Sequence, residues 1–442
     1  MIRIRVFIIL CVAASILPGS NAQTILTKEE AVARLLENNF NIQLSENAVN
    51  LAKVNADKAN VGFYPVVQLN AGANGDYGSA NQTFQDGREI QADANLTQVY
   101  NASVGVNYNI YQGGERKENL NRLFELVNIS ELQKQLTIES SIIELISTYY
   151  EAARALETVD LQEELLNLSR ERLDRMNTSY DLGRSSSLDV SNAKVDYKRD
   201  EANLINARMV YDQAKRNLNQ LMGIEGDIDY DVETMVNYDL AVNIDALINS
   251  ALERNVQLAL LDGDKKVMEY DQKVLDAQRR PILGFNTDYS YSFQDFGEGA
   301  FFAQQSSNGL GAGLNLSWNI YDGGRIKNRE AALRVQMEAN RISRRQAETE
   351  ISNRLQNLYY NYQTALELAQ VEKENIEAAQ LAFDKTRNEY QLGRLGQIEF
   401  RQAQINLLNA QVSESTSRYN AKVLEIQIMQ LSGQLLDEDY EL

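Results

Sequence analysis

Histidine is absent from the 442 residues, and the single cysteine, Cys11, sits near the start. Ser-His-Asp triads, Cys-His dyads, thiolate zinc sites and intrachain disulfides are therefore unavailable. Carboxylates, Tyr, Ser and Lys remain, but no cluster of them emerges along the chain. No catalytic residue, cofactor site or metal site is expected, and the protein reads as a non-enzyme. Positive charge is also in the minority, with 43 Lys and Arg against 62 Asp and Glu and a formal charge of −19. That balance argues against nucleic-acid binding through a basic surface. Long apolar runs are missing after the first residues, where Arg3 and Arg5 precede an apolar stretch from Val6 to Leu17 and a small-residue site at Ser20-Asn21-Ala22. Residues 1–22 read as an export signal, and its loss would lower the formal charge by two, to −21. Leu10 before Cys11 is a poor match to the small residue that lipoprotein processing wants, which disfavours a lipid anchor. With no later run of 18 or more apolar residues, any membrane span must be built from strands.

What the chain does have is a duplication. Residues 97–223 recur 210 positions later without a net insertion. Tyr149-Tyr150 returns as Tyr359-Tyr360, Gly113-Gly114 as Gly323-Gly324, Leu182-Gly183-Arg184 as Leu392-Gly393-Arg394, and Gly223 as Gly433. A period this long means two copies of a structural half. The division expected is a first repeat over 23–223, a connector over 224–243, a second repeat over 244–434 and an acidic tail over 435–442.

Proline is scarce, and the two beyond the signal, Pro65 and Pro281, open segments of alternating polarity at equivalent places. Four strands are expected, near 65–77, 99–111, 281–293 and 310–321, with polar loops between the members of each hairpin. One face is apolar and carries Phe285, Tyr289, Leu314, Leu316 and Trp318, while the other is rich in Asn, Gly and Ser. The lengths suit a tilted membrane crossing with those five residues toward lipid. A half-buried sheet in a soluble protein alternates in the same way. The Gly pairs lack the Lys-Ser/Thr of a phosphate loop, and Gly309, Gly311 and Gly313 are followed by Leu314 where a dinucleotide fingerprint needs glycine.

Everything else reads helical. Ile142, Leu145, Tyr149, Ala152, Leu156 and Val159 step by three and four, as do Ile351, Leu355, Leu358, Tyr362, Ala365 and Ala369. From Glu115 to about Tyr180 no proline intervenes, so the helix would run roughly 100 Å at 1.5 Å per residue, and Arg325 to Tyr390 would match it. Segments from Lys28 to Gly62, Ser187 to Met222, Ile244 to Arg279 and Gln397 to Leu431 are each about half as long. Two short helices stacked end to end would flank each long one. Gly183 and Gly393 read as helix-ending glycines at hairpin turns. Ser186 and Asp189 form a capping box, and Glu399 occupies a first-turn position that the helix dipole favours.

These features together resemble the TolC-like outer-membrane efflux and secretion family over nearly the whole chain beyond the signal. The residues carrying the likeness are Leu26-Thr27-Lys28-Glu29-Glu30-Ala31, the strand starts at Pro65 and Pro281, and Tyr-x-Gly-Gly at Tyr111 and Tyr321. The Tyr-x-Leu-Gly-Arg tips and the later Leu-x-Gly at Gly223 and Gly433 complete them. The resemblance implies a mainly α fold with a membrane β-barrel contribution: duplicated α-helical hairpins forming an α-barrel, and four strands per chain in a 12-stranded barrel of a homotrimer. Strand-edge physics asks for the same closure, since lipid tolerates no open edge and eight strands would leave no lumen. The family implies an outer-membrane location in a Gram-negative-type bacterium, with outer-membrane lipid around the barrel and the helices in the periplasm. Its implied partners are a periplasmic adaptor, or membrane fusion protein, and an inner-membrane transporter that drives passive export. Leu182, Gly183, Arg184, Leu392, Gly393 and Arg394 become candidate adaptor-docking tips. Glu399 falls on a position whose acidic ring constricts the periplasmic mouth; the family's second acid is Gln402 here, and Asp189 is a further gate candidate. The competing class is a soluble periplasmic coiled-coil adaptor or scaffold.

Overall fold

The computed structural model describes residues 24–226, 230–238, 243–297 and 303–436. The expected signal, residues 437–442 of the tail and part of the second strand loop lie outside the described residues. The first repeat contains β1 (Thr24–Leu26), α1 (Lys28–Asn38), α2 (Phe40–Asn55), β2 (Val66–Thr83), β3 (Glu89–Gln112), α3 (Glu115–Asp181) and α4 (Ser187–Leu221). After β4 (Tyr230–Val232) the second repeat runs α5 (Ile244–Arg254), α6 (Val256–Ala277), β5 (Ile282–Asp295), β6 (Gln304–Ser317), α7 (Arg325–Gln391) and α8 (Gln397–Leu431). The duplication is visible in the lengths: α3 and α7 have 67 residues each, and α4 and α8 have 35 each. At 1.5 Å per residue the long pair spans about 100 Å. No helix is long and apolar enough to cross a membrane among the described residues.

The core follows the periodic apolar positions. Ile142, Leu145, Tyr149, Ala152 and Val159 of α3 are buried with residues of α1, α4 and α8, and Ile351, Leu355 and Tyr362 of α7 pack with α5 and α8. Two departures from the sequence expectation stand out. The first short helices are not continuous: Asn39 divides α1 from α2, and Asn255 divides α5 from α6. Each side-chain oxygen caps the following helix, and each Nδ2 donates to the last carbonyl of a return helix, Leu221 at 2.8 Å and Leu431 at 3.0 Å. Asparagine breaks the helix here because its side chain offers the backbone groups partners outside it. The helix expected to reach Gly62 ends at Asn55 and gives way to a 3-10 turn over Ala59–Val61.

The second departure is in the connector, where β4 pairs in parallel with β1. The Tyr149 hydroxyl donates to the Leu26 carbonyl at 2.7 Å and accepts from the Glu233 amide at 2.9 Å, joining both strands to α3. Burial pushes the Tyr230 phenol up to about 12, so it stays a neutral donor to Asn219. Leu435, expected in the tail, is 2% exposed and belongs to this same core.

All four long strands form one antiparallel sheet in the order β2-β3-β5-β6. β2 and β3 extend well into the expected loop, up to Thr83 and back to Glu89, because backbone pairing continues through the polar Asn, Gln and Thr residues. β6 begins earlier than expected, at Gln304, and stops at Ser317 rather than near Tyr321. Ser317 pairs with Ile282, and the preceding Pro281 has no N–H with which to extend the ladder. The sheet is open, with β2 and β6 as its edges.

Candidate functional site

The sheet separates the two kinds of residue cleanly. Register places Phe285 opposite Tyr108 and Leu314, Tyr289 opposite Val104 and Leu310, and Leu316 opposite Leu283, all on one face. Leu314 and Leu316 are 68% and 67% exposed, and Tyr289 is exposed as well. Phe285 is half-buried. Trp318 is not a strand residue: it lies one position past β6, with its indole N–H donating to the Arg279 carbonyl at 3.0 Å at the base of the sheet.

On the opposite face, polar side chains lean across glycines of adjacent strands. A Cβ on Gly72 would lie 2.8 Å from Asn101 Oδ1, one on Gly311 would lie 3.0 Å from Asp288 Oδ1, and one on Gly313 would lie 3.3 Å from Asn286 Oδ1. The glycines therefore have a packing reason that alternation alone does not reveal. None of the four strands contains Lys or Arg, so their only formal charges are negative.

At the far end of the hairpins both turns have the same construction. Gly183 (φ +69°) donates to the Tyr180 carbonyl and Arg184 to Ser179; Gly393 (φ +72°) donates to Tyr390 and Arg394 to Glu389. This is the 6→1 and 5→2 pairing of a Schellman turn, which needs a left-handed residue after the helix. It leaves Leu182 and Leu392 63% and 64% exposed at the tips, with Arg184 and Arg394 exposed beside them.

Asp189 caps α4 through a reciprocal pair of bonds with Ser186, and its Oδ1 accepts from Gln397 Nε2 of the other hairpin at 3.2 Å. The Ser186 hydroxyl and amide hold its carboxyl below the ordinary aspartate range. Glu399 is exposed in the first turn of α8, and its side chain folds back over Gly396, whose Cβ would lie 2.7 Å from Oε2. Gln402 donates to Asn406 Oδ1 at 2.8 Å. Glu399 and Gln402 line one groove of about 690 Å³ between α7 and α8, with Asp189 on the neighbouring hairpin.

Sequence reasoning missed how the hairpins hold each other. Asp200 of α4 is 0% exposed, and its two oxygens accept from Arg401 of α8 at 2.7 and 2.5 Å. Tyr390 stacks on Phe400 at 4.7 Å between centroids, and Arg175 of α3 lies over Tyr390 and donates to the Gln391 carbonyl at 2.7 Å. The available signal was a break in the duplication: Asp200 and Arg401 stand where the other copy has Ala410 and Ser191.

The chain thus combines an open sheet with one apolar face and two helical hairpins whose 67-residue arms run about 100 Å. The model for outer membrane efflux proteins matches residues 31–224 and 247–434, one block per repeat, and the chain belongs to that family. It is 21% identical over 398 residues to the outer membrane protein TolC of Escherichia coli (strain K12), covering 87% of this chain and 78% of TolC. The fold matches the Campylobacter jejuni outer membrane channel CmeC with a TM-score of 0.73 at 13% identity, over 97% of this chain and 92% of that one. It also matches the open state of the Neisseria gonorrhoeae outer membrane channel MtrE with a TM-score of 0.70 at 14% identity, over 94% and 91%. The protein is an outer-membrane efflux channel of the TolC kind that extends into the periplasm.

Proposed function

We propose that three copies join their sheets into one 12-stranded barrel and their hairpins into a continuous duct, the exit conduit of a tripartite export system. The observation that carries this is the four-stranded sheet with two unpaired edges and an exposed apolar face. Lipid tolerates neither an open edge nor an exposed polar backbone, so the edges of β2 and β6 must pair with other copies. Phe285, Tyr289, Leu314 and Leu316 then face lipid, Trp318 sits at the periplasmic margin, and the amide and glycine face lines the lumen. Transport through such a duct is passive, driven by an inner-membrane pump coupled through a periplasmic adaptor. The adaptor docks at Leu182, Gly183 and Arg184 and at Leu392, Gly393 and Arg394. Three Glu399 carboxylates ring the periplasmic mouth, with Gln402 supplying no second acidic ring and Asp189 tying the hairpins through Gln397. Cell fractionation with conductance in planar bilayers tests the reading. An outer-membrane protein giving discrete channel steps is expected; a soluble protein with no conductance would overturn it and favour a scaffold.

A further inference from the structure

Between α3 and α7, just above the turns, lies a cavity of about 140 Å³. That is several times the roughly 30 Å³ share of a water molecule in the liquid. Arg172, Arg175, Arg387 and Tyr390 line it, and Glu171 is the only carboxylate in its wall. Arg172 is 2% exposed and Tyr390 8%. Arg172 spends Nη2 on Asp196 at 2.7 Å, while its Nε and Nη1 and the Tyr390 hydroxyl have no hydrogen-bond partner among the described residues. Buried donors without acceptors are costly, and guanidinium donors more so than neutral ones. Asp196 offsets one of the three guanidinium charges and Glu171 a second, leaving an excess of one positive charge around a space with unmet donors.

We propose that this cavity is a binding site for a small tetrahedral oxyanion of the sulfate or phosphate class, held between Arg172 and Arg175 of the first hairpin and Arg387 and Tyr390 of the second. Such an ion supplies several acceptor oxygens at once, which chloride does not, and planar guanidinium groups match oxyanion geometry. Because the donors come from both repeats, the bound ion bridges α3 and α7 and restrains the two turns relative to each other. The site is independent of whether the chain conducts.

The test is calorimetric titration of sodium phosphate and sodium sulfate into the intact detergent-solubilised protein, against sodium chloride at equal ionic strength. Saturable binding of one oxyanion per chain is expected, with no saturable chloride signal. Tyr390→Phe keeps the ring stacked on Phe400 and removes only the hydroxyl, and Arg387→Gln removes a half-buried wall charge without touching the Arg172–Asp196 pair. Each is expected to weaken binding at least tenfold, whereas Lys385→Gln, an equal charge change outside the cavity, leaves it unchanged. Bound phosphate is also expected to slow amide hydrogen exchange over 172–184 and 387–394. Absence of saturable binding, or binding indifferent to both cavity variants, overturns the proposal.

Discussion

Asp200 has no contact with water, so the value of its pairing with Arg401 depends on what replaces it. Removing one member leaves a buried charge without its counterion, which costs about 3 to 5 kcal/mol, whereas replacing both with apolar groups of similar size is close to neutral. Asp200→Leu is therefore expected to lower the denaturation midpoint sharply, and Asp200→Leu combined with Arg401→Met to recover most of the loss. Midpoints of the purified variants in a chaotrope titration check this; equal midpoints for the single and double variants would mean that the pair is not mutually dependent. At this scale the sequence was legible where one backbone conformation demands one residue, as at Gly183 and Gly393. For Asp200 and Arg401, which are 201 positions apart, it offered only the broken duplication, which marks the two positions without pairing them. Nothing local in either segment states that the other will arrive opposite it.

Glycines that share a turn type differ in what surrounds them, and the difference ranks the elements they end. Gly183 closes α3 with φ +69° and open space around it, while Gly223 follows α4 with φ +65° and a Cβ there would lie 2.4 Å from the Asn38 carbonyl. A left-handed backbone alone costs an L-residue roughly 1 to 2 kcal/mol. Gly183→Ala should therefore lower stability by about that amount. Gly223→Ala must also push apart the junction of α1, α2 and α4, and should give little folded protein. Yields and thermal midpoints of the two variants measure the contrast, and similar values would show that the junction gives way easily. Local periodicity over 142–159 and 351–369, with no proline across either 67-residue helix, exposed α3 and α7 and their central seams well. The Asn39 and Asn255 breaks escaped because each rests on a single side chain and a carbonyl more than 170 residues away. Strand ends were misjudged for a related reason: alternation reports which face is apolar, whereas ladder length is set by where a partner strand, or Pro281, stops pairing.

For the whole molecule, the sheet's polarity becomes a question of which side meets lipid. Neighbouring residues Asn315 and Leu316 of β6 point to opposite faces, paired with Gly284 and Leu283 respectively. A charge on the lipid face near the bilayer midplane costs about 2 to 4 kcal/mol, while a lumen position is tolerant. Leu316→Arg is thus expected to reduce the yield of assembled outer-membrane protein and Asn315→Arg to leave it near wild type, as read from folded protein in membrane extracts. Equal yields would reverse the faces or remove the membrane assignment. The opposite end of the duct poses an electrostatic question instead. In the proposed trimer three Glu399 carboxylates around one axis would repel each other and concentrate cations in a confined mouth. As a first-turn acid facing the helix dipole, each stabilises its own helix by only about 0.3 to 1 kcal/mol, so neutralising it should scarcely affect assembly. Glu399→Gln is accordingly expected to lower cation-over-anion selectivity and to weaken block by multivalent cations from the periplasmic side, with normal amounts of folded protein. Since the strands carry no basic residue, some cation preference should remain from the barrel. Bilayer recordings that show unchanged selectivity and unchanged block in this variant would reduce Glu399 to a first-turn acid of its helix and place the constriction elsewhere in the hairpins.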